Sequence, residues 1–229
     1  MTRALVAPFS PVVSLPLPRA ERQVTIRPML LTRRETPVLI VNLVYVPAFT
    51  VIALRNLNFE FVLYVGVILI VAAWVVWKQR SVRFDLPILW GLTIWGLLHM
   101  AGGNIRAGDD ILYGLQLIPV VLRYDQLVHA FGFGTATLVC HHLLKPYLRD
   151  GLDRWRTLSI LIVLMGSGLG AINEIIEFIA VKTLPETNVG GYDNTLWDLI
   201  FNLIGGLLAV GWLTLRRARQ AAPSLARDC

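Results

Sequence analysis

Six apolar segments, each close to the length of a membrane span, constrain this sequence more than any other feature. A transmembrane helix needs about 20 predominantly apolar residues, and the charged residues are concentrated between these segments. We predict spans at residues 37–54, 59–77, 86–102, 126–144, 158–181 and 196–215. The sequence therefore predicts an all-α, polytopic helical bundle, with one membrane domain at 36–215.

The composition excludes an ordinary soluble domain. Only 16% of the residues are charged and 55% are hydrophobic, whereas soluble domains carry about 25% charged residues. The net charge of +6 does not indicate a nucleic-acid partner, because the positive charges lie between apolar segments, where they orient membrane proteins. Cys140 lies inside an apolar segment and Cys229 is the last residue, so we predict no disulfide.

Basic residues indicate which ends of the spans face the cytoplasm. Of the 21 Lys and Arg residues, 17 lie in segments 1–35, 78–83, 145–156 and 216–229. The positive-inside rule therefore predicts that both termini are cytoplasmic. On this topology, 1–35 is a basic, Pro-rich cytoplasmic tail and 216–229 is a second basic tail.

One further apolar stretch, at 111–122, is about half a span long and is interrupted by Pro119. We predict a short re-entrant or interfacial segment here. A seventh span at this position would place the C-terminal arginines on the wrong side of the membrane.

Polar and ionisable residues lie near the outer ends of four predicted spans, at similar depth. They are His99, Asp125, His129, Glu174, Glu177, Asp193, Asp198 and Asn202. Asp125 and His129 are four residues apart, as are Asp198 and Asn202, so each pair shares a helix face. A charged residue at the centre of a membrane costs about 2.5–3.5 kcal/mol. We therefore expect these side chains to face the bundle interior, where a metal, protons or a counter-charge would stabilise them.

Glycines accompany this polar layer. Gly132 and Gly134 follow His129, and Gly205 and Gly206 follow Asn202. Small residues allow membrane helices to approach closely, so we predict tight helix packing beside the polar groups.

Three motifs in order, "YDQLVH…FG", "NEIIEF" and "WDLIFNLIGG", together with "LHMAGGN", resemble the YjdF-like family of predicted bacterial inner-membrane proteins. More distantly the chain resembles VanZ-like proteins, which share an Asp-x-x-x-His start, an acidic motif and an Asp-x-x-x-Asn-x-x-Gly motif. The resemblance covers roughly residues 36–215. It implies a bacterial inner-membrane location and a shared polar site, and it implies no particular reaction.

Our first functional hypothesis is a membrane-embedded enzyme that acts on a lipid or lipid-linked envelope substrate. His129, Glu174 and Glu177 would form its core, Asp125 would orient His129, and Asp198 would complete the set. A divalent metal bound by nitrogen and oxygen donors is a possible cofactor, with His129, Glu174, Glu177 and His99 as ligands. Acid–base chemistry without a metal is the alternative. The residues assigned to substrate binding are Arg123, Tyr124 and Asn202, and Arg123 would contact an anionic lipid or lipid-linked substrate.

Two other classes of function remain open from the sequence. A proton- or ion-coupled transporter would also use intramembrane acids and histidine, although the polar groups gather near one face and no inverted repeat is present. Alternatively, the polar groups only cap and tie helices together in a non-catalytic envelope or antibiotic-tolerance factor. We predict that His141 and His142, at the inner end of the fourth span, are interfacial. The sequence does not indicate an oligomeric state.

Overall fold

The structure is a computed structural model that describes residues 33–148 and 154–225, with side chains through residue 220. Its helices are α1 Thr36–Arg55, α2 Phe59–Gln79, α3 Leu86–Asn104, α4 Tyr124–Leu144, α5 Trp155–Thr183 and α6 Tyr192–Leu225. Each is long and apolar enough to cross a membrane. The prediction of a six-helix membrane bundle is confirmed for the described residues. Most of the predicted N-terminal tail, and Cys229, lie outside them.

Several helices begin earlier than the sequence pattern predicts. Helix α4 starts at Tyr124 instead of 126, and α6 starts at Tyr192 instead of 196 and continues to Leu225. At the start of α4 the side-chain oxygen of Gln126 accepts a hydrogen bond from the backbone N–H of Arg123 at 2.9 Å. This bond satisfies one of the free N–H groups at the helix start, so Asp125 lies inside the first turn of α4 and does not cap it.

The connection between α3 and α4 does not span the membrane. It contains two antiparallel pairs of short strands, β1 Arg106–Ala107 with β2 Asp110–Ile111 and β3 Gln116–Ile118 with β4 Leu122–Arg123. A 3₁₀ turn at Leu112–Gly114 joins the two pairs. Open strand edges are not tolerated in the hydrocarbon core. The observed strands therefore favour the interfacial interpretation over the re-entrant one.

Helix α4 occupies the centre of the bundle. Half of its apolar stretch is buried, compared with 22% for α1, and it packs against α3, α5 and α6, most extensively against α6. Gly134 and Gly205 meet at this contact. A Cβ added to Gly134 would lie 2.9 Å from the carbonyl oxygen of Gly205, so only glycine permits this spacing. The predicted close packing is confirmed for this pair.

The two ends of the bundle differ in their connections. The end that carries the 56–58, 105–123 and 184–191 connections is called the loop end below, and the opposite end is called the tail end. At the loop end, Asn58 caps α2 by accepting a hydrogen bond from Phe61 N and also donates to the carbonyl of Gly103 at 3.1 Å. These bonds fix the start of α2 against the end of α3, next to the polar residues.

Candidate metal and catalytic site

The side chain of His129 lies at the centre of a buried polar cluster. Its Nε2 atom is 3.6 Å from Oδ1 of Asp125 and 3.9 Å from Oδ1 of Asp198. Its Nδ1 atom is 3.0 Å from Oδ1 of Asn202 and 3.7 Å from Oε1 of Glu174. Residues from α4, α5 and α6 thus surround one imidazole ring, which is only 7% exposed.

Local helix geometry explains this convergence. Asp125 lies one turn before His129 on α4, and Asp198 lies one turn before Asn202 on α6, so each helix contributes two neighbouring groups. Helix α5 contributes Glu174, and its Gly170 provides space for Asn202. A Cβ at Gly170 would lie 2.5 Å from the Asn202 amide nitrogen. The glycines therefore allow the three helices to approach closely enough for the polar groups to meet.

The carboxylates in this cluster have more oxygens that could accept hydrogen bonds than the described residues supply donors for. Glu174 is 8% exposed and Asp198 is fully buried. Both carboxylate oxygens of Glu174, and Oδ1 of Asp198, lack a hydrogen bond of ordinary length and angle from the described residues, although the Asn173 amide lies near Glu174. An unpaired buried acceptor costs about 1–3 kcal/mol, and more when the group is charged. The cluster therefore fits a bound cation or protons better than it fits a purely structural network.

Two overlapping groups of potential metal ligands share His129. One consists of Asp125, His129 and Asp198, and the other of His129, Glu174 and Glu177. Within each group, one donor atom per residue lies within 4.8 Å of the others. Nitrogen and oxygen donors bind zinc at about 2.0–2.2 Å, so small side-chain movements would bring either group to ligating distance.

The hydrogen bond to Asn202 distinguishes the two ring nitrogens of His129. An amide oxygen only accepts hydrogen bonds, so with the Asn202 amide oriented as in the structure, Nδ1 of His129 is the nitrogen that carries the proton and donates to Oδ1 of Asn202. The Nε2 lone pair is then directed toward Asp125 and Asp198. Histidines that bind metals commonly donate their other N–H to an oxygen in this way. This geometry favours the group formed by Asp125, His129 and Asp198.

Asn194 connects Arg123 to the carboxylates. Its amide nitrogen donates to Oδ2 of Asp198 at 2.5 Å and is 3.4 Å from Oδ2 of Asp125. Its amide oxygen accepts a hydrogen bond from Arg123 at 2.9 Å. Arg123 therefore reaches the cluster through Asn194, and Arg123 itself forms no ion pair with a carboxylate of the described residues.

Two other predicted site residues, His99 and Tyr124, make contacts outside the His129 cluster. The hydroxyl of Tyr113 lies 2.5 Å from Nδ1 of His99 and 3.1 Å from the carbonyl oxygen of the same residue. His99 belongs to neither ligand group. Burial, reinforced by the charge of Asp125, holds the pKa of Tyr113 well above its ordinary value, so Tyr113 stays protonated. The Tyr124 hydroxyl donates to the carbonyl of Leu98 at 3.0 Å, which ties α4 to α3.

A polar cavity of about 200 Å³ extends from the loop end to this cluster. Asp125 and Glu177 contribute to its lining. The other side chains that line it include Glu60, Tyr64, His99, Asp110, Tyr113, Arg123, Asn188 and Asn194. The cavity therefore reaches the edge of the cluster at Asp125 and Glu177.

A family model described as "Predicted membrane protein (DUF2238)" matches residues 37–219. The chain belongs to this family. The resemblance to YjdF-like proteins agrees with DUF2238, whereas the more distant resemblance to VanZ-like proteins stays a prediction.

An uncharacterized protein of Thermotoga maritima is 30% identical to this DUF2238 protein over 92 residues. The match covers 40% of this chain and 47% of the relative, so the chain spans about half the length of the curated relative it matches. No solved structure matches the chain.

Sequence reasoning missed several residues that line the cavity of this DUF2238 protein, including Glu60, Tyr64, Tyr113, Asn188 and Asn194. Asn194 carried a signal, because it lies one turn before Asp198 on the face that also carries Asn202. Asp193, which the sequence places beside it, is exposed at the helix start. For Glu60 and Asn188, the sequence contained no signal that would have placed them at the cavity. The carboxylate of Glu60 accepts hydrogen bonds from both the backbone and the side-chain nitrogen of Asn188, which is 128 residues away.

Proposed function

We propose that this protein is a membrane-embedded, metal-dependent hydrolase or transferase that acts on a lipid or lipid-linked substrate at the outer face of a bacterial inner membrane. One observation carries the proposal. A buried histidine is surrounded by carboxylates from three helices, and several of their oxygens have no hydrogen-bond donor in the part of the chain that the structure describes.

Charge balance supports a bound divalent cation. Asp125, Glu174, Glu177 and Asp198 lie around His129, and Arg123 is linked to Asp198 by hydrogen bonds through Asn194. Nε2 of His129, Asp125 and Asp198 would bind the metal, and Asn202 would fix the orientation of the imidazole. The set predicted from the sequence, His129 with Glu174 and Glu177, is the second possibility. Oxygen and nitrogen donors suit zinc, manganese or magnesium.

The chemistry follows from these positions. A divalent metal would activate a water molecule and polarise the bond to be cleaved. Glu174, which lies 3.7 Å from Nδ1 of the same ring, or Glu177 would take a proton from the attacking water or hydroxyl and return it to the leaving oxygen. Asn173 donates to Oε1 of Glu177 at 2.7 Å, which helps to position that carboxylate. Transfer to a second substrate hydroxyl instead of water would give a transferase.

Orientation supports access from outside the cell. The basic residues cluster at the tail end and in the flanking segments, so the positive-inside rule supports an orientation in which the loop end, with the cavity, lies outside the cytoplasm. Both termini would then be cytoplasmic.

Packing below the site favours an enzyme over a transporter. On the tail side of His129, α4 and α6 meet at Gly134 and Gly205, and Gly134 lies about 7.5 Å further along the α4 axis than the backbone of His129. Thr137 is fully buried one turn beyond, and its hydroxyl is bonded to the carbonyl of Phe133. This tight packing supports a site that is open to one side only, which suits catalysis better than transport.

The first experiment measures bound metal in protein purified in mild detergent, by plasma mass spectrometry. The variants are His129→Ala and Asp198→Asn, and the matched control is His142→Ala, at the opposite end of the same helix. We expect near-stoichiometric metal in the wild type and the control, and loss of metal from both site variants. Size-exclusion profiles and thermal unfolding would verify that each variant is folded.

Three other outcomes would argue against the proposal. Metal-free wild-type protein with well-folded variants would leave only metal-free acid–base chemistry. Failure of both site variants to fold would favour a structural cluster. Equal metal loss from the His142→Ala control would show that the bound metal is not at this site. If metal is present, the metal-bound wild-type protein should cleave a lipid of an envelope lipid fraction or transfer a group from it. Removal of the metal by a chelator should abolish that activity.

A further inference from the structure

We propose that a groove between α1, α2 and α3 binds an anionic phospholipid, with an acyl chain in the groove and the phosphate at a basic rim. The groove has a volume of about 180 Å³. It lies in the half of the bundle toward the tail end and shares no lining residue with the His129 cluster. The inference is therefore independent of the proposed function and concerns a second ligand.

One face of each of the three helices contributes to the groove. Its floor includes Val38, Tyr45 and Leu89, which are at most 9% exposed. Its opening includes Ala72 and Val76 of α2, which are exposed on the surface that a membrane would cover. Helix α1 packs against both α2 and α3, whereas α2 and α3 contact each other less. The groove therefore opens toward the lipid.

The polar side chains inside the groove are satisfied by protein atoms. The amide nitrogen of Asn42 donates to the carbonyl of Val38 at 2.8 Å and to the hydroxyl of Thr93 at 2.7 Å. Among the described residues, none of the buried polar atoms that lack a hydrogen bond lines this groove. A polar ligand would find no buried partner here, whereas apolar cavities of about this size bind small hydrocarbons. A hydrocarbon chain is the ligand that fits the lining.

Gln79 fixes the rim of the groove at the tail end. Its amide nitrogen donates to Oε1 of Glu35, just before α1, at 2.9 Å. Its amide oxygen accepts a hydrogen bond from the backbone N–H of Phe84, in the α2–α3 turn, at 2.8 Å. Gln79 and Glu35 both line the groove. The start of α1 and the α2–α3 turn are therefore held together beside its opening.

Basic residues flank this rim on both segments. They are Arg33, Arg34, Lys78, Arg80 and Arg83. The acidic groups described nearby are Glu35, which accepts the bond from Gln79, and Asp85, which lies 3.7 Å from His142. Basic side chains beside the end of a membrane span attract anionic headgroups. A second copy of the chain in the groove would bring like charges together, so the rim favours an anionic lipid.

The test uses the full chain in nanodiscs that contain phosphatidylglycerol and phosphatidylcholine at equal fractions. Native mass spectrometry of the released protein would count the retained lipids and report the oligomeric state. Ala72→Phe fills the groove, and its matched control is Ala73→Phe, because Ala73 is the next residue of α2, is also exposed and does not line the groove.

A second pair of variants tests the rim. Arg34→Gln combined with Arg80→Gln removes two charges beside the groove. The matched control combines Arg156→Gln with Arg219→Gln, which removes two exposed charges at the tail end from α5 and α6.

We expect the wild type and both controls to retain phosphatidylglycerol in preference to phosphatidylcholine. Ala72→Phe should lower the retention of both lipids about tenfold, the factor expected from lost contact with about two methylene groups. The rim variant should lower the preference for phosphatidylglycerol about fivefold for each arginine removed. It should leave the retention of phosphatidylcholine unchanged.

Several outcomes would overturn the inference. One is equal retention of the two lipids by the wild type, and another is equal retention of lipid by Ala72→Phe and Ala73→Phe. An equal loss of preference in the two arginine variants would show that the rim is not a specific site. A wild-type dimer that Ala72→Phe dissociates would show that a second copy fills the groove. If size exclusion shows that Ala72→Phe is misfolded, the exposed arginine variants decide the result.

Discussion

The two ends of α4 carry histidines in opposite settings. At the loop end, His129 is buried among Asp125, Glu174 and Asp198. At the tail end, His142 lies 3.7 Å from Asp85, whose side chain is 63% exposed. Both are histidine–carboxylate contacts on one helix. The difference is that water solvates the carboxylate of the tail-end pair, whereas the buried carboxylates of the loop-end cluster must be stabilised by the protein or by a ligand.

The largest effect is expected from Asp198→Asn, compared with Asp193→Asn on the same helix. Asp198 is fully buried beside His129, and Asp193 is exposed. Loss of an outer-sphere partner lowers metal affinity about 10–100-fold, so loss of a proposed ligand should lower it by more. Metal titration of the apoprotein would measure both variants. Equal affinities in the two variants would remove Asp198 from the proposed site.

The packing that brings the cluster together is tested by Gly205→Ala against Gly211→Ala. A Cβ at Gly205 would collide with the carbonyl oxygen of Ala130, whereas nothing lies within 4 Å of the corresponding position at Gly211. We expect Gly205→Ala to lower the free energy of unfolding by about 1–3 kcal/mol. Gly211→Ala should be neutral or stabilising by up to about 1 kcal/mol. Denaturation in detergent would compare them, and similar stabilities would contradict the close α4–α6 contact.

The connections at the two ends should differ in their contribution to stability. Asn58 caps α2 and also binds the backbone of Gly103, whereas the hydroxyl of Ser81 makes only an exposed bond to Lys78. Asn58→Ala should therefore cost about 1 kcal/mol. Ser81→Ala should change the free energy of unfolding by less than about 0.5 kcal/mol. Thermal unfolding of both variants is the measurement, and a larger loss for Ser81→Ala would reverse the comparison.

The smallest effect is expected at the tail-end pair itself. Asp85→Asn removes an exposed charge beside His142, and exposed ion pairs contribute about 0–1 kcal/mol. We expect near wild-type stability and unchanged metal content. A loss of metal from Asp85→Asn, measured by plasma mass spectrometry, would show that the two ends are coupled and that burial alone does not distinguish them.

The sequence by itself determined the membrane spans and the local pairs. Span length and the distribution of arginine depend only on the chain and the bilayer. The pairs Asp125 with His129 and Asp198 with Asn202 follow from the helical repeat, which places residues four apart on one face. The starts of the helices were predicted less accurately. The side chain of Gln126 extends α4 toward its N-terminus by a hydrogen bond, and hydropathy does not reveal such a bond.

Only the tertiary structure decided which of these faces meet. Packing at Gly134, Gly170 and Gly205 brings three helices around His129, and the loop-end connection places Tyr113 against His99, outside both ligand groups. The contact between Glu60 and Asn188 joins residues 128 positions apart. Helical periodicity fixes the direction of a side chain relative to its own helix. The choice of neighbouring helix depends on packing between segments distant in sequence, and this choice creates the site.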